Sequence, residues 1–414
     1  MKDNIEIRFA TEEDRLKVID LWKYAFSDTD EFLDYYFERR YAPENTVVLL
    51  RDKSLEAALQ LNPYNLAMGD MISQVSYVVG VSVQPESRGK GFMNKLMKST
   101  LNLQYQRGED FSILMPIDTR IYTRYGYANC FMRHEFHVDI SRLNPAKNNY
   151  KIKRLDMNNI HNMDRELHLL SEVYFHAVQE NHSFISRNRT YWKNKLAELA
   201  TDGGEIFLIS DDFAPKGYVM LIPKSADQTL NVIEMVGLDQ GAFDAISSLI
   251  KAHSTQAKKA ILVTPQPEEF NLYTQYDNNI EHIINPFMMG RVINAEKILD
   301  RIIHKAKLHT QPDFLGEGGS FCISISDSVI EENNYTVLYK KGIMAGIEKE
   351  VCESCLPERR LKMTVSELAQ LYLKSTTVKK LHKMGKIEVF EEDLEFFEKI
   401  FGKITCQNYI NDFI

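Results

Sequence analysis

Apolar and polar residues alternate along Ile5-Glu6-Ile7-Arg8-Phe9, the period of a half-buried strand. Thr11 then stands as a helix N-cap before the acids Glu12, Glu13 and Asp14, which the helix macrodipole favours in a first turn. Behind them Val18, Ile19, Leu21, Trp22 and Phe26 recur at helical spacing. Strands are predicted at 46–50 and 55–61, joined through Arg51-Asp52-Lys53-Ser54. Residues 74–83 form the strongest β segment of the chain, rich in Val and Tyr. Helical spacing resumes after Gly91 with Phe92, Leu96, Met97 and Leu101. Phe111–Met115 reads as a strand that ends at Pro116. Alternating signals of this kind predict an α/β domain.

The pattern restarts near residue 150. A helical stretch with Leu167, Leu170 and Tyr174 leads to strands at 206–209, 217–222 and 230–236. A helix over 242–250 and a strand over 260–263 close the block. A third unit opens at Asn285-Pro286, where proline is expected to break any continuing element. It holds a helix from Ala295, strands at 321–326 and 334–339, and a helix opening at Thr364-Val365-Ser366-Glu367. The fold class expected is therefore α/β (α+β). Two tandem mixed-sheet units flanked by helices cover 1–147 and 148–285, and an α+β unit covers 286–414.

Composition narrows the class. Of 414 residues 44% are hydrophobic and 26% charged, which excludes disordered and low-complexity chains. Lys+Arg 50 against Asp+Glu 58 gives a net charge of −8. That argues against a nucleic-acid partner and for a cationic one. The N-terminal residues lack a signal-peptide core and no stretch approaches a membrane span, so a cytoplasmic location is expected. Cys130, Cys322, Cys352, Cys355 and Cys406 are an odd, scattered set that fits a reducing compartment. Cys352 and Cys355 have CxxC spacing but no second pair, and His304 and His309 lie off the one-turn spacing of a helical metal pair. No metal is expected.

The informative stretch is Val81-Ser82-Val83-Gln84-Pro85-Glu86-Ser87-Arg88-Gly89-Lys90-Gly91-Phe92-Met93-Asn94. A strand ends at a proline, and a basic glycine-bearing turn opens a helix whose first N–H groups are unpaired and suited to phosphate oxygens. Neither GK[ST] nor GxGxxG is present. R-x-x-G alone is a weak signal, expected about once by chance in a chain of this composition.

In its setting the stretch resembles the acetyl-CoA-binding motif of the GCN5-related N-acetyltransferases (GNAT). The resemblance implies that Val81, Ser82 and Val83 pair with the pantetheine arm, and that Arg88, Gly89, Lys90, Gly91, Phe92, Met93 and Asn94 cradle the pyrophosphate. Many members carry Gly or Ala where Met93 stands, a departure from the pattern. The segment Ile121-Tyr122-Thr123-Arg124-Tyr125-Gly126-Tyr127 resembles the Y-x-[RK]-[FY]-G-[YW] signature of acetyltransferases. By that resemblance Tyr127 protonates the departing CoA thiolate, a role open to a phenol that is protonated at pH 7. Tyr122 and Thr123 are placed at the cofactor.

The whole layout is similar to the enhanced-intracellular-survival (Eis) family, two GNAT-like units with a sterol-carrier-like tail; the second unit here lacks the CoA motif. That resemblance implies direct transfer from acetyl-CoA to an amine of an aminoglycoside-like cation or a lysine, with the α-carboxylate of Ile414 as general base. It also implies a homo-oligomer, with a hexamer as one form. Asp28, Asp30 and Glu31 stand where acceptor loops lie in the superfamily, yet helix capping accounts for them equally. Phe32, Tyr35, Tyr36 and Phe37 fit a core helix face as well as a pocket wall. A hydrophobic-ligand carrier and a non-catalytic CoA-binding scaffold are the alternatives.

Overall fold

The computed structural model describes residues 4–223, 228–309, 320–340, 343–348, 357, 359–402 and 407–413. The first half contributes β1 (Ile5–Phe9), β2 (Thr46–Arg51), β3 (Ser54–Met68), β4 (Met71–Val83), β5 (Phe111–Leu114) and β6 (Ala128–Asp139). The second contributes β7 (Lys151–Arg154), β8 (Ser183–Ile185), β9 (Glu205–Ser210), β10 (Pro215–Ile222), β11 (Thr229–Gly237), β12 (Lys259–Val263) and β13 (Glu281–Val292). They form one continuous sheet in the order β1-β2-β3-β4-β5-β13-β6-β12-β11-β10-β9-β7, with β8 off this path and paired to β3.

The two halves are related by this order. In each, antiparallel strands lead to one parallel pair, β4 with β5 and β11 with β12. The strand that follows each parallel pair is exchanged. β6, from the first half, pairs with β12, while β13, from the second, pairs with β5. β13 and β6 then pair with each other at the centre of the sheet. The expected break at Pro286 does not occur. β13 runs through it, and the proline's missing N–H falls at a register irregularity between Pro286 and Met288, where a ladder bond is not required.

The tail adds a smaller sheet. β14 (Ser320–Ser326), β15 (Tyr335–Lys340), β16 (Ile343–Glu348), β17 (Arg359–Thr364) and β18 (Glu388–Val389) lie in the order β16-β15-β14-β17-β18. The helix Val365–Tyr372 begins with the expected capping box, Thr364 and Glu367 satisfying each other's backbone N–H. β19 (Asn408–Tyr409) leaves this unit and joins the large sheet beside β8. Trp22 and Tyr36 of the first half share one apolar core with Leu368 and Phe397 of the tail.

Four helices matter to the site: α1 (Arg15–Ala25), α2 (Asp30–Arg39), α3 (Phe92–Gln106) and α4 (Thr119–Thr123). α3 buries Leu96, Met97 and Leu101 in one cluster with Val47, Leu49 and Leu59 of the sheet. Each such side chain is worth about 1.5–3 kcal/mol, enough to fix the helix and hence its N-terminus. Among the described residues no helix is long and apolar enough to cross a membrane. Also among them, no three His, Cys, Asp or Glu side chains stand together as metal ligands. Cys352, Cys355 and Cys406 lie outside the described residues; Cys130 and Cys322 are buried free thiols.

Candidate active site

A bulge in β4 creates the site. Ala58 pairs with Ser82 and Gln60 with Val79, so Gly80 and Val81 together oppose the single residue Leu59. Gly80 sits at φ +61, left-handed backbone that a glycine adopts without strain. The Trp22 ring of α1 packs where any side chain at residue 80 would stand. β4 keeps β5 as a partner only at Ser76, Tyr77 and Val78. Beyond Val78 the two strands separate.

The gap is the mouth of a cleft of about 800 Å³. Of the residues expected at the cofactor, Val81, Ser82, Val83, Arg88, Gly89, Gly91, Phe92, Met93, Asn94 and Tyr122 line it. Lys90 is exposed on the same turn, and Thr123 ends α4; neither is part of the lining. The turn is anchored from below. Ser87 Oγ donates to Glu56, whose other oxygen accepts from Arg51 Nε at 2.9 Å. Gly89 and Gly91 have φ +79 and +77 with no other heavy atom within 4 Å of a built Cβ, so an anion can approach the backbone and the first turn of α3 closely.

Tyr127 does not reach this cleft. It is fully buried, and its hydroxyl is 2.8 Å from Ser112 Oγ, which also accepts from Gln104 Nε2 at 3.1 Å. Burial drives its pKa far above 10. The chain turns at Gly126, so that Tyr125 and Tyr122, not Tyr127, face the opening. Burial also raises the Tyr122 phenol above its ordinary value, so it stays protonated at neutral pH.

A second cavity of about 430 Å³ adjoins the first, sharing Asp28 and Phe413 with it. Among the described residues its acids are Asp28, Glu198 and Asp202, with Lys195 the one cation lining it. Trp22 Nε1 donates to Asp28 at 2.8 Å and holds it in place. Burial raises both Glu198 and Asp202, and the charge of Asp28 raises Asp202 further. Asp30 pairs with Lys23 at the surface, and neither it nor Glu31 lines a cavity described here. Phe32 is a wall of the acidic cavity, whereas Tyr35, Tyr36 and Phe37 are core. Glu198 and Asp202 were not singled out from sequence. They belong to the helix Arg189–Thr201 of the second half and the residue after it, where they read as an ordinary polar face.

Ile414 lies outside the described residues. Phe413, which precedes it, forms part of both cavities, and its carbonyl accepts from Tyr77 Oη at 2.6 Å.

Residues 6–130 match the acetyltransferase (GNAT) domain family, and residues 312–406 match the sterol carrier protein domain family. The chain therefore joins an acetyltransferase domain to a sterol carrier domain. Its fold is shared along its whole length with a GCN5-related N-acetyltransferase from Anabaena variabilis (TM-score 0.78, 19% identity, 99% of this chain and 100% of that one). A probable N-acyltransferase from Enterococcus faecalis (0.76, 19%, 98% and 97%) and Eis1 from Mycobacterium abscessus (0.71, 15%, 99% and 100%) are similar in the same way. No curated protein matches the sequence significantly.

Proposed function

We propose that this chain transfers an acetyl group from acetyl-CoA to an amine of a cationic acceptor within a ternary complex. The observation that carries the reading is the meeting of the two cavities at Asp28 and Phe413, one floored by the glycine turn and the other lined with acids. Acetyl-CoA supplies the activated thioester. The edge of β4 beyond Val78, unpaired by β5, offers backbone groups to an extended pantetheine arm. Residues 88–94 hold the pyrophosphate through the turn and the α3 N-terminus. Lys90 adds charge at long range rather than a cleft contact.

We assign the proton donor for the leaving thiolate to Tyr122, not Tyr127, because Tyr122 lines the cleft and burial keeps it protonated. Asp28, Glu198 and Asp202 attract the ammonium form of the acceptor. The base on the attacking amine is proposed, from the family resemblance, to be the main-chain carboxylate of Ile414, next in the chain to Phe413. The units expected at 1–147, 148–285 and 286–414 then divide the work, with the second boundary moved past β13, which runs through Pro286 to Val292. The first binds the thioester, the second supplies acceptor acids, and the third brings the Phe413 segment. A homo-oligomer in the cytoplasm remains the expected setting, and light scattering checks the assembly.

A second reading has one observation behind it. Among the described residues a cavity of about 570 Å³ is walled by Ile302, Leu371, Ile400 and Phe401 of the tail and by Met68 of β3, with Arg301, Lys305, Lys374 and Lys399 also in its lining, which suits an apolar ligand with an anionic head. CoA-thiol release against a panel of mono- and polyamines separates the two. Turnover with cations supports acetyl transfer. No turnover with any amine, together with binding of an apolar probe, favours the carrier.

A further inference from the structure

Residues 407–413 are tied to the second half of the large sheet by a buried polar network that the transfer reaction does not itself use. The network is centred on Glu234 of β11. This side chain is fully buried and faces Arg187, whose Nη2 donates to Oε2 at 2.9 Å. Tyr218 Oη donates to Oε1 at 2.6 Å, and the Arg187 guanidinium lies 3.8 Å over the Tyr174 ring.

The segment plugs into this pair. Tyr409 Oη donates to Glu234 Oε2 at 2.6 Å. Asn411 Nδ2 donates to the Ile233 carbonyl at 2.8 Å and to Glu234 at 3.3 Å. Lys195 Nζ donates to the Asn411 carbonyl at 3.1 Å, and Tyr191 Oη donates to Asp412. Beyond these anchors Phe413 meets the Phe287 ring at 5.3 Å and the Arg133 guanidinium at 4.8 Å, in the shared wall of the two cavities.

A buried ion pair is a costly way to gain stability, since apolar residues of equal volume do as well; its best-attested use is to fix register. Register is what this segment needs. Among the described residues β19 pairs with β8 through two residues, Asn408 and Tyr409, and a slip of one residue would turn every side chain to the opposite face. Tyr409 is the one phenol that satisfies Glu234 from the segment, so the hydrogen bond forms in a single register.

We propose that Arg187, Glu234 and Tyr409 are positioning residues, a latch by which the half without a CoA motif sets Phe413 between the two cavities. None of the three lines either cavity, so they act through the segment. The proposal rests on the acetyltransferase reading for its kinetic consequence, but not for its structural one.

The test uses the full chain carrying Tyr409→Phe, with Glu234→Gln as a harsher second variant, and three readouts: hydrogen exchange, acetyl-CoA affinity by calorimetry, and kinetics with the best amine of the panel. Tyr409→Phe is expected to speed amide exchange within 407–413 and to lower kcat/KM for the amine about tenfold, the scale of one lost hydrogen bond to a charged group. Acetyl-CoA affinity is expected to stay within about twofold, because the latch does not touch its cleft. Wild-type exchange in 407–413 in both variants would overturn the latch, as would an acetyl-CoA affinity that falls as far as the amine kinetics. If the parent chain acetylates no amine, the acetyltransferase reading fails; the exchange data still decide the latch.

Discussion

Replacing Gly80 by Ala tests whether the β4 bulge makes the cleft. A side chain at φ +61 costs about 1–2 kcal/mol. The added Cβ would also lie 2.1 Å from Gln60 Oε1 and 2.3 Å from Trp22 Cζ3. Gln60 can swing its amide away, but Trp22 cannot, being held at 5.1 Å by Phe26 and 4.7 Å by Tyr36, with its Nε1 on Asp28. Overpacking of this kind costs about 1–3 kcal/mol. Together the two effects come to about 2–5 kcal/mol, a large part of the roughly 5–15 kcal/mol that holds a domain. Urea unfolding reads the loss as a lower midpoint, and calorimetry with acetyl-CoA reads the distorted cleft as weakened binding. Gly89→Ala, in the turn that holds the pyrophosphate, is the control for the unfolding midpoint alone. It meets no atom within 4 Å, so only the backbone term of about 1–2 kcal/mol applies. Gly80→Ala with the wild-type midpoint and full acetyl-CoA affinity would refute the bulge as the origin of the site.

Two further predictions concern the joints between units. Arg291 is fully buried, donating to both oxygens of Asp327 at 2.8 Å and to the Tyr125 carbonyl at 2.6 Å; Arg291→Met strands that carboxylate and is expected to cost about 3–5 kcal/mol by urea unfolding. Adding Asp327→Asn should recover part of it, and full additivity would contradict the pairing. His182, buried beside Tyr372 with a ring nitrogen 2.8 Å from its carbonyl, has its pKa lowered by burial from 6.5 to about 4. The unfolded chain therefore takes up the proton first. Stability is whole above pH 6.5 and declines toward pH 4, by up to about 3 kcal/mol at 1.36 kcal/mol per pH unit. His182→Gln should flatten that decline, and an unchanged slope between pH 7.5 and 4.5 would show that His182 is not its source.

What the sequence disclosed was local. Residues 74–83 and the turn at 88–91 are specified by β-branched residues, a proline and glycines within a few positions of each other, so they were readable without knowing their neighbours. The exchange of β6 and β13 was not, because it depends on pairings between Glu135 and Val263 or Gly290 and Ile113, more than a hundred residues apart. Pro286 misled for a related reason, since a ladder irregularity between distant strands removed the penalty that local reading assigned to it. The tyrosines show a subtler limit. Tyr122, Tyr125 and Tyr127 have the same chemistry, and only the turn at Gly126 and the presence of Ser112 decide which hydroxyl is turned inward. Glu198 and Asp202 gain meaning only when the second half brings them against Asp28.

The central claim is that acetyl transfer takes place where the glycine-turn cleft meets the acidic cavity, with Tyr122 giving the proton. Its most direct measurement is acetyl-CoA-dependent thiol release with a polyamine acceptor, comparing the parent chain with Tyr122→Phe and Tyr127→Phe. Turnover by the parent is predicted to fall about 10²–10⁴-fold in Tyr122→Phe, with acetyl-CoA affinity retained, and only a few-fold in Tyr127→Phe. Turnover that survives Tyr122→Phe but is lost in Tyr127→Phe would contradict it.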